Sequence, residues 1–247
     1  MKKIWVISLF PEFFKPFFET GVVGAGLRGE RGSLPELRFV NPSEFSRKGF
    51  KGVDASPYGG GAGQVMRADV LEEALIKGVF ANGGYQGFLK EQLRVIYLGP
   101  RGERFDQSVA KKYQANLCDV NERDLIFICG RYEGIDERFI EKYVDDHLSV
   151  GDFVLSGGEL ALLPILDSIF RLFPGILSNE ESPLEESFDG FGLEFPQYTK
   201  PQVICDEGVP DVLLSGHHKN IKIWRDKERL KMTKKFRPDL LKREASK

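Results

Sequence analysis

Short, mainly apolar runs recur along the chain and predict the strands of a sheet buried on both faces. They cover residues 4–10, 37–40, 94–98 and 125–129, and each is followed within a residue or two by Gly, Pro or Asn or by a charged turn. Runs of this kind are typical of parallel strands that helices cover on both sides. The same pattern predicts a further strand at 153–155. The fold class is therefore α/β.

Between these runs the apolar positions follow a helical period. Helices are expected after Pro11, over residues 68–77, and from Asp106 or Ser108 through Tyr113. A strongly apolar helix follows over residues 160–173, with Pro164 expected in its first turns.

Residues 24–29 read Gly-Ala-Gly-Leu-Arg-Gly and match the fingerprint of dinucleotide-binding loops. That fingerprint must directly follow a strand, and here a predicted helix comes between. We therefore expect a flexible loop at this position and no nucleotide site.

Three predicted strand ends carry glycine-rich turns, at residues 97–100, 130–133 and 150–158. Ligands of open α/β sheets bind beyond the carboxyl ends of the strands, where glycines let the backbone approach the ligand. The three segments therefore predict one pocket.

Charge is distributed unevenly along the chain. Residues 217–247 hold 12 Lys and Arg against 4 Asp and Glu, whereas residues 1–216 hold 23 against 33. Because Trp224 and Phe236 lie among the cations, we expect an ordered basic helix, starting near Lys219, that contacts phosphates. Residues 178–196 contain six acidic residues and no Lys or Arg, which indicates a flexible linker between domains 1–177 and 197–247.

The sequence lacks the motifs of several reaction classes. A phosphate-binding loop and a Gly-x-Ser-x-Gly nucleophile motif are both missing. The three histidines and three cysteines are too scattered along the sequence to predict a metal site. The cysteines are expected to be reduced thiols. With no apolar run long enough for a membrane helix, a cytoplasmic protein is expected. The reaction class that remains is the transfer of a chemical group from a pre-activated donor.

Several segments together resemble the bacterial tRNA (guanine-N1)-methyltransferases of the SPOUT class, the TrmD family, in order over nearly the whole chain. The two long and highly specific ones are residues 129–138, Cys-Gly-Arg-Tyr-Glu-Gly-Ile-Asp-Glu-Arg, and 149–160, Ser-Val-Gly-Asp-Phe-Val-Leu-Ser-Gly-Gly-Glu-Leu. Shorter matches lie at residues 7–12, 57–61, 97–100, 173–175, 198–201 and 214–217.

The resemblance implies a SPOUT-type parallel sheet with a deep trefoil knot near the second and third glycine-rich turns, followed by a small helical, basic tRNA-binding domain. It further implies a homodimer whose active site lies at the subunit interface. The substrate would be the guanine immediately 3′ to the anticodon, and the methyl donor S-adenosylmethionine. By the same resemblance, the donor pocket would be lined by Tyr97, Leu98, Gly99, Pro100, Gly130, Tyr132, Glu133, Ser149, Val150, Gly151, Asp152, Phe153, Val154, Leu155, Gly157 and Gly158.

Three positions depart from the family pattern. Gly99 stands where relatives often have Ser, and Phe153 replaces the usual Tyr. The resemblance assigns Arg171 as the catalytic cation and places the general base before a Ser-Phe pair, where relatives have Asp and this chain has Glu186. We take Glu186 as the base and Asp189 as the second candidate.

The remaining expectations concern partners and alternatives. The tRNA-binding residues would be Ser215, Gly216, His217, Trp224 and Arg225. Relatives depend on Mg²⁺, but the sequence shows no ligand set for it. A catalytically silent RNA-binding protein that retains the donor pocket is one alternative, and a nucleotide-dependent oxidoreductase is another.

Overall fold

Nine strands occur in the part of the chain that the computed structural model describes, which comprises residues 2–178, 186–188 and 192–244, with side chains as far as Leu241. They are β1 (Lys3–Ile7), β2 (Glu36–Val40), β3 (Asp54–Ala55), β4 (Val65–Met66), β5 (Leu93–Arg104), β6 (Asp124–Cys129), β7 (Asp146–Ser149), β8 (Val203–Ile204) and β9 (Glu207–Gly208). Five of them form one sheet in the order β2-β1-β6-β5-β7, and all of its pairs are parallel. The prediction of an α/β fold with a parallel sheet is confirmed.

The helices are of very different lengths. They are α1 (Lys15–Glu19), α2 (Gly21–Leu27), α3 (Ala68–Glu73), α4 (Leu89–Gln92), α5 (Gln107–Cys118), α6 (Glu137–Tyr143), α7 (Gly158–Phe170), α8 (Asp211–Leu214), α9 (His218–Phe236) and α10 (Pro238–Glu244). A π-helical stretch, Ala74–Ala81, continues α3. Short 3-10 helices lie at Pro11–Phe14, Pro42–Phe45 and Gly49–Gly52.

The central strand β6 shows why its sequence is apolar throughout. Leu125 and Phe127 point into the core that packs on α5 and α7. Ile126 and Ile128 point into the opposite core, against α3 and α6. Because both faces of the strand are covered, no polar alternation is possible. The first 178 residues therefore form three layers, with the sheet in the middle.

Strands β5 and β7 pair irregularly at the carboxyl edge of the sheet. The register of β5 against β7 shifts between Leu98 and Glu103, so residues 99–102 bulge out of an otherwise continuous strand. A Cβ atom on Gly102 would lie 2.4 Å from the Leu148 backbone carbon, so only glycine permits this close approach. The sequence predicted the end of the strand here, and the structure instead has a bulge.

The expectation of a flexible loop at residues 24–29 is wrong, because α2 covers most of this segment. A Cβ on Gly24 would meet the Phe17 carbonyl oxygen at 2.8 Å, and one on Gly26 would meet the Ile176 side chain at 2.6 Å. These glycines serve close packing, which outweighs their low helix propensity.

A further expectation in the glycine-rich region is also wrong. Residues 153–155 are not a strand; they follow β7 as an irregular segment in which Val154 is 95% exposed. Pro164 lies inside α7, in the second turn after Gly158, which agrees with its expected place in the first turns of that helix. Apolar residues alone could not distinguish a buried strand from an exposed apolar wall.

Contacts between Cα atoms divide the chain into two compact units, Met1–Ser178 and Asn179–Lys247. In the second unit, α9 packs against residues 192–195. The Thr233 hydroxyl accepts a hydrogen bond from the Leu193 N–H at 2.9 Å and donates to the Arg229 carbonyl at 2.8 Å. Phe195 is buried, with the Arg225 guanidinium 4.6 Å from its ring centre. Residues 192–195 of the predicted linker are therefore packed on this helix.

Candidate functional site

A cavity of about 220 Å³ lies at the carboxyl edge of the first unit's sheet, where the segments that follow β6 and β7 meet the bulge of β5. Fifteen of the sixteen residues predicted for the donor pocket line it, and Asp152 does not. Arg131, Gly134, Leu148, Ser156 and Ala161 line it as well. The sequence-predicted segments are thus brought together in one place.

The floor of this cavity is built from backbone. The Gly158 N–H donates to the Gly130 carbonyl at 2.9 Å, which joins the start of α7 to the end of β6. A Cβ on Gly158 would lie 2.7 Å from the Cys129 Cα and 3.0 Å from the Gly130 nitrogen. Since both are main-chain atoms in a buried strand end, no side chain is tolerated at residue 158 without a backbone shift.

Tyr97 forms one wall and is nearly buried. Its ring would lie 2.9 Å from a Cβ on Gly130 and 3.1 Å from one on Gly99. Glycine at 99, where relatives often have Ser, therefore leaves room for the ring. Burial raises the pKa of the Tyr97 phenol, so this wall is uncharged near neutral pH.

The segment after β6 is tied to the glycine-rich loop between β3 and β4. The Glu133 N–H donates to the Gln64 carbonyl, and the Met66 N–H donates to the Gly134 carbonyl, both at 2.9 Å. Tyr132, immediately before Glu133, has a left-handed backbone with φ of 58°, which is uncommon for a residue with a side chain. Strain of this kind concentrates at ligand sites.

Arg131 and Glu159 form a buried ion pair that sequence reasoning missed. The Arg131 Nε lies 2.8 Å from Glu159 Oε2, and their side chains are 13% and 0% exposed. Ser8, just beyond β1, donates from its hydroxyl to Glu159 Oε1 at 2.6 Å. The sequence offered two signals for this pair. One is a charged residue inside a glycine-rich turn, and the other is a Glu in the first turn of an apolar helix.

One rim of the cavity is apolar and exposed. Phe153 is 58% exposed, Val154 95% and Leu155 37%. Such neighbouring apolar side chains on a surface mark an interaction site more often than isolated ones do.

Arg171 follows α7 directly and caps it, its N–H donating to the Asp167 carbonyl at 3.1 Å. Burial raises the pKa of the Asp167 carboxyl, and the charge of Arg171 opposes that rise. Neither residue lines the cavity described above.

Glu186 belongs to the second unit, with Ser187 and Phe188 beside it. The Ser187 hydroxyl accepts from the Glu194 N–H at 3.0 Å, and the Phe188 N–H donates to the Gly192 carbonyl at 2.8 Å. These bonds join residues 187 and 188 to residues 192 and 194. The second candidate base, Asp189, lies outside the described residues.

The predicted tRNA-binding residues lie at the start of α9 and just before it. Ser215, Gly216 and His217 are exposed. The Trp224 ring packs on that of Tyr198, with 6.2 Å between ring centres. Arg225 is half-buried over Phe195, so it supports the helix as well as adding charge to it.

The described residues contain neither a cluster of metal ligands nor a helix suited to span a membrane. Within 2–178, 186–188 and 192–244, no three His, Cys, Asp or Glu side chains are grouped as ligands of a metal ion. None of the helices in these ranges combines the length and apolar character needed to cross a bilayer.

Taken together, a parallel α/β sheet with a backbone-built pocket at its carboxyl edge, followed by a separate unit with a basic helix, defines a class of ligand-dependent enzymes that act on nucleic acid. The model of one family, tRNA (Guanine-1)-methyltransferase TrmD, matches residues 1–243. The chain belongs to this family.

Curated relatives agree with that assignment. The chain is 43% identical to the tRNA (guanine-N(1)-)-methyltransferase of Clostridium beijerinckii, over 98% of this chain and 92% of the relative. It is 46% identical to the proteins of the same name from Clostridium novyi, over 97% and 91%, and Clostridium acetobutylicum, over 96% and 90%. None of these comparisons favours an oxidoreductase or a catalytically silent protein.

Proposed function

We propose that the chain transfers the methyl group of S-adenosylmethionine to ring nitrogen 1 of the guanine immediately 3′ to the anticodon of tRNA. Methylation of a tRNA guanine at this nitrogen follows from the family. The observation that carries the finer proposal is the cavity at the carboxyl edge, because it gathers the glycine-rich segments into one site where ligands of α/β sheets bind.

The residues of the cavity suit an adenosyl ligand. Glycine backbone at residues 130, 157 and 158 offers amide and carbonyl groups at close range, and Tyr97 and Leu155 offer apolar surface. The carboxylate of Glu133 supplies negative charge at the same cavity for a cationic ligand. When bound, S-adenosylmethionine supplies a methyl group on positively charged sulfur.

By family resemblance, the first domain, residues 1–177, is a SPOUT domain whose chain threads a deep trefoil knot near these segments. The parallel sheet and the adjoining segments after β6 and β7 are compatible with that topology.

The proton chemistry is proposed for two residues outside the cavity. Ring nitrogen 1 of guanine carries a proton and becomes nucleophilic as that proton leaves. Glu186 accepts it as general base. Negative charge then develops on the neighbouring ring carbonyl oxygen, which the guanidinium of Arg171 stabilises. The new N–CH₃ bond forms as the S–CH₃ bond breaks, so atoms and charge balance.

A homodimer is proposed because the exposed apolar rim at residues 153–155 borders the cavity. A second copy covering Val154 would exclude water from the site and strengthen its electrostatics. By family resemblance, the active site would then be completed at the subunit interface.

The second unit is proposed to bind tRNA through α9. Within Lys219–Lys235 the helix carries eight Lys and Arg against two acidic residues, and its lysines are exposed. Contacts of this kind with phosphates weaken steeply as salt concentration rises. Acting on tRNA, the enzyme would work in the cytoplasm, and Mg²⁺ dependence is proposed from the family without an assigned ligand.

The test is methyl transfer from radiolabelled S-adenosylmethionine to tRNA transcripts. We expect incorporation into a transcript with guanine immediately 3′ to the anticodon, and none when that guanine is changed to adenine. A transcript that keeps this guanine but has a different anticodon-stem sequence is the control. Equal labelling of the guanine and adenine transcripts would overturn the proposed site of methylation.

A further inference from the structure

The buried pair of Arg131 and Glu159 is held from several directions. Glu159 lies in the first turn of α7, where the helix dipole favours a negative charge. Ser8 donates to one of its carboxylate oxygens, and Arg131 lies against the other. The position of the carboxylate is thus fixed by β1, by the segment after β6 and by α7.

The guanidinium of Arg131 is fixed just as closely. Its centre lies 4.5 Å from the ring centre of Phe10 and 5.2 Å from that of Phe13. Nη2 is buried and has no hydrogen-bond partner among the described residues, so the two rings take the place of solvent on that side. The pair is therefore rigid and largely dry.

This guanidinium contacts the donor cavity through the backbone. Nη1 of Arg131 donates to the Ser156 carbonyl at 3.1 Å. A Cβ on Gly157 would lie 2.3 Å from Arg131 Nε, so residue 157 must be glycine for the arginine to pass. The segment 156–158 is thereby held between Arg131 and the Gly130 carbonyl, with Ser156, Gly157 and Gly158 all lining the cavity.

We infer that Arg131 is a positioning residue for the methyl donor, and that Glu159 acts by fixing it. Arg131 bridges a buried carboxylate and the Ser156 carbonyl, and so sets the backbone of residues 156–158 in the geometry that the donor binds. The inference rests on the proposed function of the cavity. A buried pair of this kind often stabilises the fold no more than apolar residues of similar volume would, and we assign its main effect to the geometry of the site.

The decisive variant is Arg131→Lys, since lysine keeps the charge beside Glu159 but cannot reach two acceptors with a rigid fork. Arg94→Lys is the matched control, because Arg94 is also a half-buried arginine paired with a carboxylate, that of Asp146, and does not line the cavity. Glu159→Gln is the second variant and leaves the guanidinium without its counter-charge.

Titration calorimetry with S-adenosylmethionine and steady-state kinetics give the readouts. We expect Arg131→Lys to raise the donor Kd and the donor KM about tenfold or more, with the tRNA KM changed less than about twofold. Glu159→Gln should change the donor Kd in the same direction, and Arg94→Lys should leave it unchanged.

The inference is overturned if Arg131→Lys binds the donor with the same Kd as the protein without the substitution. It is also overturned if Arg94→Lys weakens donor binding equally, because general destabilisation would then explain both. If Glu159→Gln does not fold, Arg131→Lys still decides. Failure of the unchanged protein to bind S-adenosylmethionine would instead contradict the proposed function.

Discussion

Helices α7 and α9 differ in how many of their side chains are buried. In α7, eight of 13 residues are buried, including Gly158 and Glu159 at its start. In α9, Thr233 alone is buried among 19 residues. The first helix forms part of the cavity by bringing backbone into close contact, whereas the second exposes charged side chains. A small steric change should therefore damage the first unit, and a change of charge the second.

The largest effect is expected at Glu186 in the second unit, the residue that we propose as the general base. Glu186→Gln keeps the size of the residue but cannot accept a proton, so turnover should fall about 10²- to 10⁴-fold. Binding of S-adenosylmethionine should not change. Single-turnover methyl transfer to tRNA, together with calorimetry, measures both quantities.

Glu194→Gln is the matched control, because Glu194 is an exposed acid of the same segment and should turn over normally. Asp189→Asn tests the other candidate base. Near-normal turnover of Glu186→Gln together with loss in Asp189→Asn would move the base to Asp189.

The next prediction tests whether the pocket depends on backbone contact. Gly158→Ala introduces a Cβ 2.7 Å from the Cys129 Cα, and overpacking of this kind costs about 1–3 kcal/mol. Because the clash is with the cavity floor, the donor Kd should also rise at least about tenfold. Thermal unfolding and calorimetry with S-adenosylmethionine are the measurements.

Gly208→Ala in the second unit provides the contrast. A Cβ on Gly208 meets nothing within 4 Å, so stability should change by less than about 0.5 kcal/mol. Equal effects of the two substitutions would contradict the difference between the units.

The single buried hydroxyl of α9 gives the third prediction. Thr233→Val keeps the shape of the side chain but leaves the Leu193 N–H without its acceptor, which costs about 1–3 kcal/mol. Hydrogen exchange around residues 192–195 should become faster, with no change in the donor Kd. Thr20→Val removes an exposed hydroxyl that donates to the Pro16 carbonyl, and should have little effect. Unchanged exchange in Thr233→Val would show that this contact does not hold the segment.

The sequence predicted best those features that burial on both sides dictates. The continuous apolar run at residues 125–129 was predicted as a buried strand, which is confirmed. A helix cap was predicted at Asp106 or Ser108, and the structure has it at Asp106. The glycine-rich segments were predicted to meet, and fifteen of sixteen named residues line one cavity. Local pattern was sufficient for the strand and the cap, because each depends on neighbours in the chain. The meeting of the glycine-rich segments follows instead from the rule that ligands of α/β sheets bind beyond the carboxyl ends of the strands.

The failures have a common physical cause, which is contact between residues far apart in sequence. The glycines of α2 are needed for packing against Phe17 and Ile176, and no local pattern indicates that. The apolar residues 153–155 form an exposed rim and not a strand. Arg131 and Glu159 are 28 positions apart, so only the fold reveals their pairing.

The smallest effect is expected from charge on the surface of α9, and it sharpens the comparison of the two units. Lys219 and Lys222 are exposed near the start of the helix, and replacing both with Gln should weaken tRNA binding several-fold. Each lost phosphate contact should lower the slope of log K against log salt by about one. The donor Kd should stay the same. Filter binding of tRNA over a range of salt concentrations measures the slope.

The control removes the same charge from the first unit. Lys111 and Lys112 are exposed on α5, and replacing both with Gln should leave the salt slope unchanged. If charge anywhere on the protein attracted tRNA equally, the two double variants would behave alike, and α9 would have no special part in binding. If only the α9 variant loses slope, then the second unit acts through projecting charge while the first unit acts through backbone geometry. The two kinds of site would then fail independently, one in donor affinity and the other in tRNA affinity.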